Sequence, residues 1–138
     1  KLDDLIPEAD VIICVASSTG FEFTNCKEDV IICDAGYPKN LDTKIEKNFD
    51  LIFHGGMGQV TSGFEFTPNY TDSFYQYPAP HVIHGCILEA MVLAFENKFE
   101  DYSSGKGNIS VEKILEIYNM GLKHGIVISP FYNTNGLC

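Results

Sequence analysis

Basic residues are scarce in this chain. Lys and Arg number 9 against 19 Asp and Glu, and the 138 residues carry a formal net charge of −10. A surface that acidic repels phosphate backbones, which excludes nucleic acid as a natural partner. No apolar run reaches the roughly 18 residues that a transmembrane helix needs. The opening Lys1-Leu-Asp-Asp-Leu5 has no apolar stretch of the secretory kind. The five cysteines, 14, 26, 33, 86 and 138, form no Cys-x-x-Cys pair. An odd count without such pairing argues against a disulfide framework and for a reducing, cytoplasmic setting. Without a secretion signal, the Asn69-Tyr-Thr71 and Asn108-Ile-Ser110 glycosylation patterns carry no meaning.

What is present is an ordinary globular mixture, 45% hydrophobic and 20% charged, which excludes disorder. Asp10-Val-Ile-Ile-Cys14 and Asp29-Val-Ile-Ile-Cys33 read alike, and Asp50-Leu-Ile-Phe-His54 is a weaker third. Short, continuously apolar, β-branched runs mark strands covered on both faces, as in a parallel sheet. Strands are therefore expected near 10–15, 30–34 and 50–53. Cys14 and Cys33 close such runs and read as small buried hydrophobes. Each run ends in small residues: Ala16-Ser-Ser-Thr-Gly20, Ala35-Gly-Tyr-Pro38, and Gly55-Gly56 followed by Gly58. Small residues there let a ligand approach the backbone, and the carboxyl edge of an open parallel sheet is where ligands sit. Taken one by one, the same residues could be simple turns. Gly-Phe-Glu-Phe-Thr occurs at 20–24 and 63–67, too short and too irregular for a repeat architecture.

The second half reads as helical. Apolar residues recur at Ile83, Ile87, Ala90, Met91, Ala94 and Phe95, one face of a 3.6-residue period, and predict a helix over 80–99. Glu89 and Glu96 fall on its polar side and are expected to be solvated. After a loop containing Lys106, Ser110 is placed to cap a second helix over 110–124. The tail from Ser129 is polar and expected to be loose. Three strands and two helices are less than a doubly wound sheet, and Gly-x-Gly-x-x-Gly is absent. The fold expectation is α/β: the later half of a nucleotide-binding domain whose first βαβ unit lies upstream. A sheet edge left bare by the missing half invites self-association, so a homo-oligomer is expected.

Cys86 stands out chemically. It lies in Val82-Ile-His-Gly-Cys-Ile-Leu-Glu89, near the expected start of a helix. The positive helix end and protonated His81 or His84 would favour the nucleophilic thiolate, and Gly85 leaves the sulfur approachable. The plainer alternative is a buried cysteine packing like alanine. His81-x-x-His84 could share a metal, but the third ligand would have to be His54 or His124, chosen without a spacing rule. No metal is expected.

Glu8-Ala-Asp10 with Val15-Ala-Ser17, Asp34-Ala-Gly-Tyr-Pro-Lys-Asn-Leu41, Cys86-Ile-Leu-Glu-Ala-Met-Val-Leu-Ala-Phe-Glu96, Tyr102-Ser-Ser-Gly-Lys-Gly-Asn-Ile-Ser110 and Lys123-His-Gly125 together resemble the C-terminal part of the long-chain fatty acyl-(acyl carrier protein) reductases. Related amino-acid-dehydrogenase-like chains of the shikimate-dehydrogenase group share the pattern. The resemblance runs from about Glu8 to Pro130. It implies that 1–138 is the C-terminal part of a single NAD(P)-binding, Rossmann-like domain, a doubly wound parallel sheet with C-terminal helices, lacking its Gly-rich loop. It implies a reductase using NADPH (or NADH) that turns an acyl thioester, on acyl carrier protein or coenzyme A, into an aldehyde. The family's nucleophile falls on Cys86. Ala16, Ser17, Ser18, Gly36, Tyr37, Gly55 and Gly56 would border the nicotinamide and its ribose. Two other readings stand beside it: an amino-acid- or shikimate-type dehydrogenase in which Cys86 is structural, and a non-catalytic nucleotide-binding fragment.

Overall fold

The two Val-Ile-Ile-Cys runs become adjacent strands. A computed structural model describes residues 1–23, 25–42, 44–45, 51–64, 81–103 and 109–138; Asn69, Lys106 and Asn108 lie outside them. The described residues fall into two units. One holds those of Lys1–Gly55 with Pro130–Cys138, the other those of Gly56–Gln76 and Pro80–Ser129.

In the first unit a short helix, α1 (Leu2–Leu5), and one 3-10 turn precede β1 (Val11–Cys14), β2 (Ile31–Asp34) and β3 (Leu51–His54). The strands are parallel in the order β1-β2-β3, and Cys14, Asp34 and His54 stand level at their carboxyl ends. This is a mixed α/β chain with a three-stranded parallel sheet. The core lies on the face that carries Ile32, Ile52 and Cys14, completed by Val30 and Leu41.

The other face departs from the expectation of cover on both sides. Val11 and Ile13 are 55% and 64% exposed, while Phe53 stacks on Phe131 with ring centroids 4.1 Å apart. A run of β-branched residues specifies an extended chain, but not what will lie on its second face. The tail is not loose either. β7 (Tyr132–Asn133) and β8 (Gly136–Leu137) form a hairpin, and Asn133 Nδ2 donates to the Ile52 carbonyl at 2.9 Å.

The second unit contains an antiparallel sheet that the periodicity did not announce. β4 (Met57–Val60) lies between β5 (Val82–His84) and β6 (Ile126–Ile128). Gly58, read as a turn glycine, is inside a strand; a Cβ there would stand 2.4 Å from Leu88 Cδ1. The helix expected from residue 80 therefore begins only at Gly85, because buried, β-branched Val82 and Ile83 pair with β4 instead. It ends early as well. α2 spans Gly85–Phe95, and Asn97 turns left-handed at φ 54°. Lys98 N then donates to Leu93 O and Asn97 N to Ala94 O, a paired closure that terminates helices. α3 (Val111–Lys123) starts where expected, with Ser110 Oγ accepting from Lys113 N.

Glu96 is partly buried and paired rather than simply solvated. Its carboxylate accepts Lys123 Nζ at 2.7 Å, and His124 Nε2 lies 2.6 Å from the same oxygen. The Lys123 bond, then His124, hold that carboxyl below the ordinary range, so it joins the carboxyl ends of α2 and α3. Among the described residues no helix is long and apolar enough to cross a membrane.

Candidate functional site

Parallel pairing in even register brings the small residues after β1, β2 and β3 to one edge of the first unit. There the chain is organised by two buried polar side chains. Asp34, 1% exposed, accepts from Gly36 N at 3.1 Å and Leu41 N at 2.9 Å, folding the loop after β2 around its carboxylate. Asn40, fully buried, reaches back to the loop after β1. Its Oδ1 accepts from Ala16 N at 2.9 Å, and its Nδ2 donates to the carbonyls of Ala16 (2.8 Å) and Ser18 (2.6 Å). Buried polar groups persist only when paired in this way.

Gly36 is required here for space: a Cβ would lie 2.5 Å from Asn40 Oδ1. Gly55 donates its N–H to Asp34 O at 2.9 Å, and a Cβ on it would meet Cys33 Sγ at 2.5 Å. Of the seven expected cofactor-edge residues, Ala16, Ser17, Ser18, Gly36, Tyr37 and Gly55 belong to this unit. Ser17, Ser18 and Tyr37 are exposed. Gly56 belongs to the second unit, as does Cys86.

In that second unit Cys86 is the second residue of α2 and is exposed. His84 occupies the N-cap position without a side-chain capping bond, and Gly85 N donates to Gly56 O at 2.7 Å. That close approach suits glycine, since a Cβ on Gly85 would stand 3.0 Å from the Gly56 carbonyl oxygen. Beside it opens an apolar cleft of about 330 Å³, walled by Gly85, Leu88, Val92, Ile117, Tyr118 and Ile126.

The other thiols differ. Burial, reinforced by the Asp34 carboxylate, pushes Cys14 up to about 11, and burial also raises Cys26 and Cys33. A raised thiol value means that the neutral form suits the folded state. Its contribution to stability is present below the ordinary thiol range and fades as pH rises through about 11. Alkylation of the native chain at mildly alkaline pH should therefore modify exposed Cys86 and Cys138 first and Cys14 last. Peptide mass mapping over time reads the order, and early modification of Cys14 would contradict its burial. Among the described residues no three His, Cys, Asp or Glu side chains gather as a metal site.

No protein-family model matches the chain. Over 127 residues it is 29% identical to a long-chain acyl-(acyl-carrier-protein) reductase of Synechococcus elongatus, covering 90% of this chain and 37% of that protein. Over 131 residues it is 25% identical to Aminotransferase PigE of a Serratia species, covering 93% of this chain and 15% of that one. This chain is similar to part of a reductase. It spans little more than a third of that reductase's length and about a seventh of the other relative's.

Sequence reasoning chose the small residues of the edge and passed over the two that hold it together. A signal for Asp34 was present, since an acid directly follows the Ile-Ile-Cys run with no turn residue between. Asn40 gave none. Its partners lie 22 to 24 residues away, and nothing local distinguishes it from any loop asparagine.

Proposed function

We propose that this chain is the later part of a Rossmann-like, NADPH-dependent reductase that converts an acyl thioester, on acyl carrier protein or coenzyme A, into an aldehyde through an acyl-enzyme on Cys86. The observation that carries the reading is the placement of Cys86. Its sulfur is exposed in the first turn of α2, whose first residue, Gly85, lines an apolar cleft, while burial raises the thiols of Cys14, Cys26 and Cys33 above their ordinary range. Similarity to part of an acyl-(acyl-carrier-protein) reductase supports the substrate class.

The edge residues fit one end of a dinucleotide. Exposed Ser17 and Ser18 offer hydroxyls suited to a ribose, on a loop whose Ala16 and Ser18 carbonyls are already bonded by Asn40. The sequence has no Gly-x-Gly-x-x-Gly turn for the pyrophosphate, so that part of the grip belongs to other segments of the full-length polypeptide. A reduced nicotinamide bound by the full-length protein would supply a hydride to the acyl carbon.

The chain's own contribution is covalent. Cys86 Sγ attacks the thioester carbonyl carbon, a new C–S bond forms, and the carrier C–S bond breaks. The departing carrier sulfur takes up the proton that Cys86 loses. On reduction of the acyl group, Cys86 Sγ would be the leaving group as the aldehyde departs, and would regain a proton from solvent. Leu88, Val92, Ile117 and Ile126 of the cleft that Gly85 lines offer apolar surface suited to an aliphatic chain.

The direct test is to incubate the full-length protein with an acyl-coenzyme A, without reductant, and measure intact mass. One acyl group should be added per chain and mapped to the peptide containing Cys86. If no adduct forms while a nicotinamide cofactor still binds, the covalent route is wrong and a dehydrogenase with a structural Cys86 takes its place.

A further inference from the structure

We propose that Asn40 is a positioning residue that holds the cofactor edge in its binding shape, acting through the backbone of Ala16 to Ser18. The proposal rests on the reductase reading above. It starts from how completely one side chain is spent. The Asn40 carboxamide is fully buried, and its oxygen and nitrogen bond both the N–H and the C=O of Ala16, at 2.9 and 2.8 Å. It therefore pairs with Ala16 as a neighbouring strand would, beyond the point where β1 has ended. Its second N–H goes to Ser18 O at 2.6 Å, and its own backbone carbonyl accepts from Phe21 N at 3.0 Å. Four bonds thus fix the segment from Ala16 to Phe21 from a single residue.

That residue is itself fixed. Asp34 ties down Gly36 N and Leu41 N on either side of it, and Lys39 Nζ donates to Asp34 O at 2.9 Å. Gly36 leaves the space that the carboxamide fills. The pairing of β1 with β2 over Val11–Cys14 and Ile31–Asp34 does not involve Asn40. What Asn40 adds is the course of the loop that presents Ser17 and Ser18. Two donors and an acceptor side by side are needed, and at this size only an amide supplies all three.

The test uses the full-length protein and NADPH as probe. Asn40→Asp keeps the shape and the acceptor for Ala16 N, but turns a carboxylate oxygen toward the carbonyls of Ala16 and Ser18. NADPH affinity should fall about tenfold or more at mildly alkaline pH, the expected scale for unpaired buried groups. It should recover as pH falls, because a protonated carboxyl can donate to one carbonyl again. Acyl-adduct formation at Cys86, which needs no dinucleotide, should stay within about twofold of wild type, a small change on the rate scale. Asn40→Ala should weaken NADPH binding without any recovery at lower pH.

Wild-type affinity in Asn40→Asp at every pH would overturn the proposal and leave the reductase reading intact. So would a loss of melting temperature, adduct formation and NADPH affinity together, since that marks a merely structural residue. Absence of NADPH binding by the wild-type protein would sink both readings.

Discussion

Cys86→Ser in the full-length protein is expected to abolish aldehyde formation, lowering turnover by several orders of magnitude, while NADPH binding stays at the wild-type level. A serine hydroxyl without an adjacent base is a far weaker nucleophile than a cysteine sulfur, and the acyl-enzyme cannot form at a useful rate. The exposure of Cys86 at the start of α2 means that the change should leave stability nearly untouched. Cys14→Ser should do the reverse. Cys14 sits 8% exposed at the end of β1, where a hydroxyl needs a hydrogen-bond partner, so stability falls while chemistry persists in the folded fraction. Turnover, NADPH titration and a urea midpoint on both variants separate the two outcomes. Near-normal turnover by Cys86→Ser would end the acyl-enzyme reading.

The largest stability effect is expected at Ile32. It is fully buried in the middle of β2, with Val30, Ile52 and Leu41 in the same core cluster, and β2 is the central strand of the parallel sheet. Ile32→Ala should cost about 2–5 kcal/mol, combining lost transfer energy with an unfilled cavity, whereas Ile32→Val should cost about 0.5–1.5 kcal/mol. Against a native stability of about 5–15 kcal/mol, the alanine variant approaches the unfolding threshold. Urea unfolding followed by circular dichroism gives both values. A cost below about 1 kcal/mol for alanine would mean that the site collapses around the change or that this face is not the core.

Some of this was legible in residue order alone. Val-Ile-Ile-Cys, repeated 19 residues on, specifies two like strands because β-branched side chains crowd a helix and fit a pleated surface. Ser110 announced its helix because a cap needs only a hydroxyl and a nearby N–H. Cys86 was legible as a helix-start cysteine for the same local reason, though the helix begins five residues later than its apolar spacing suggested.

Tertiary structure decided the rest. Ile83 obeys helical spacing but, with Val82, pairs with β4, because a hydrogen-bonding edge built from Met57 to Val60 lies beside them. Gly58 belongs in that strand because Leu88 needs the space. Glu96 is tied to Lys123 and His124 because two helices end together. The edge of the parallel sheet shows the division most clearly. The small size of Ala16, Gly36 and Gly55 is written in the sequence. The bonds that shape them come from Asp34 and Asn40, whose partners lie up to 24 residues away. A local pattern records what a residue prefers; only the folded chain determines which distant backbone groups it must satisfy.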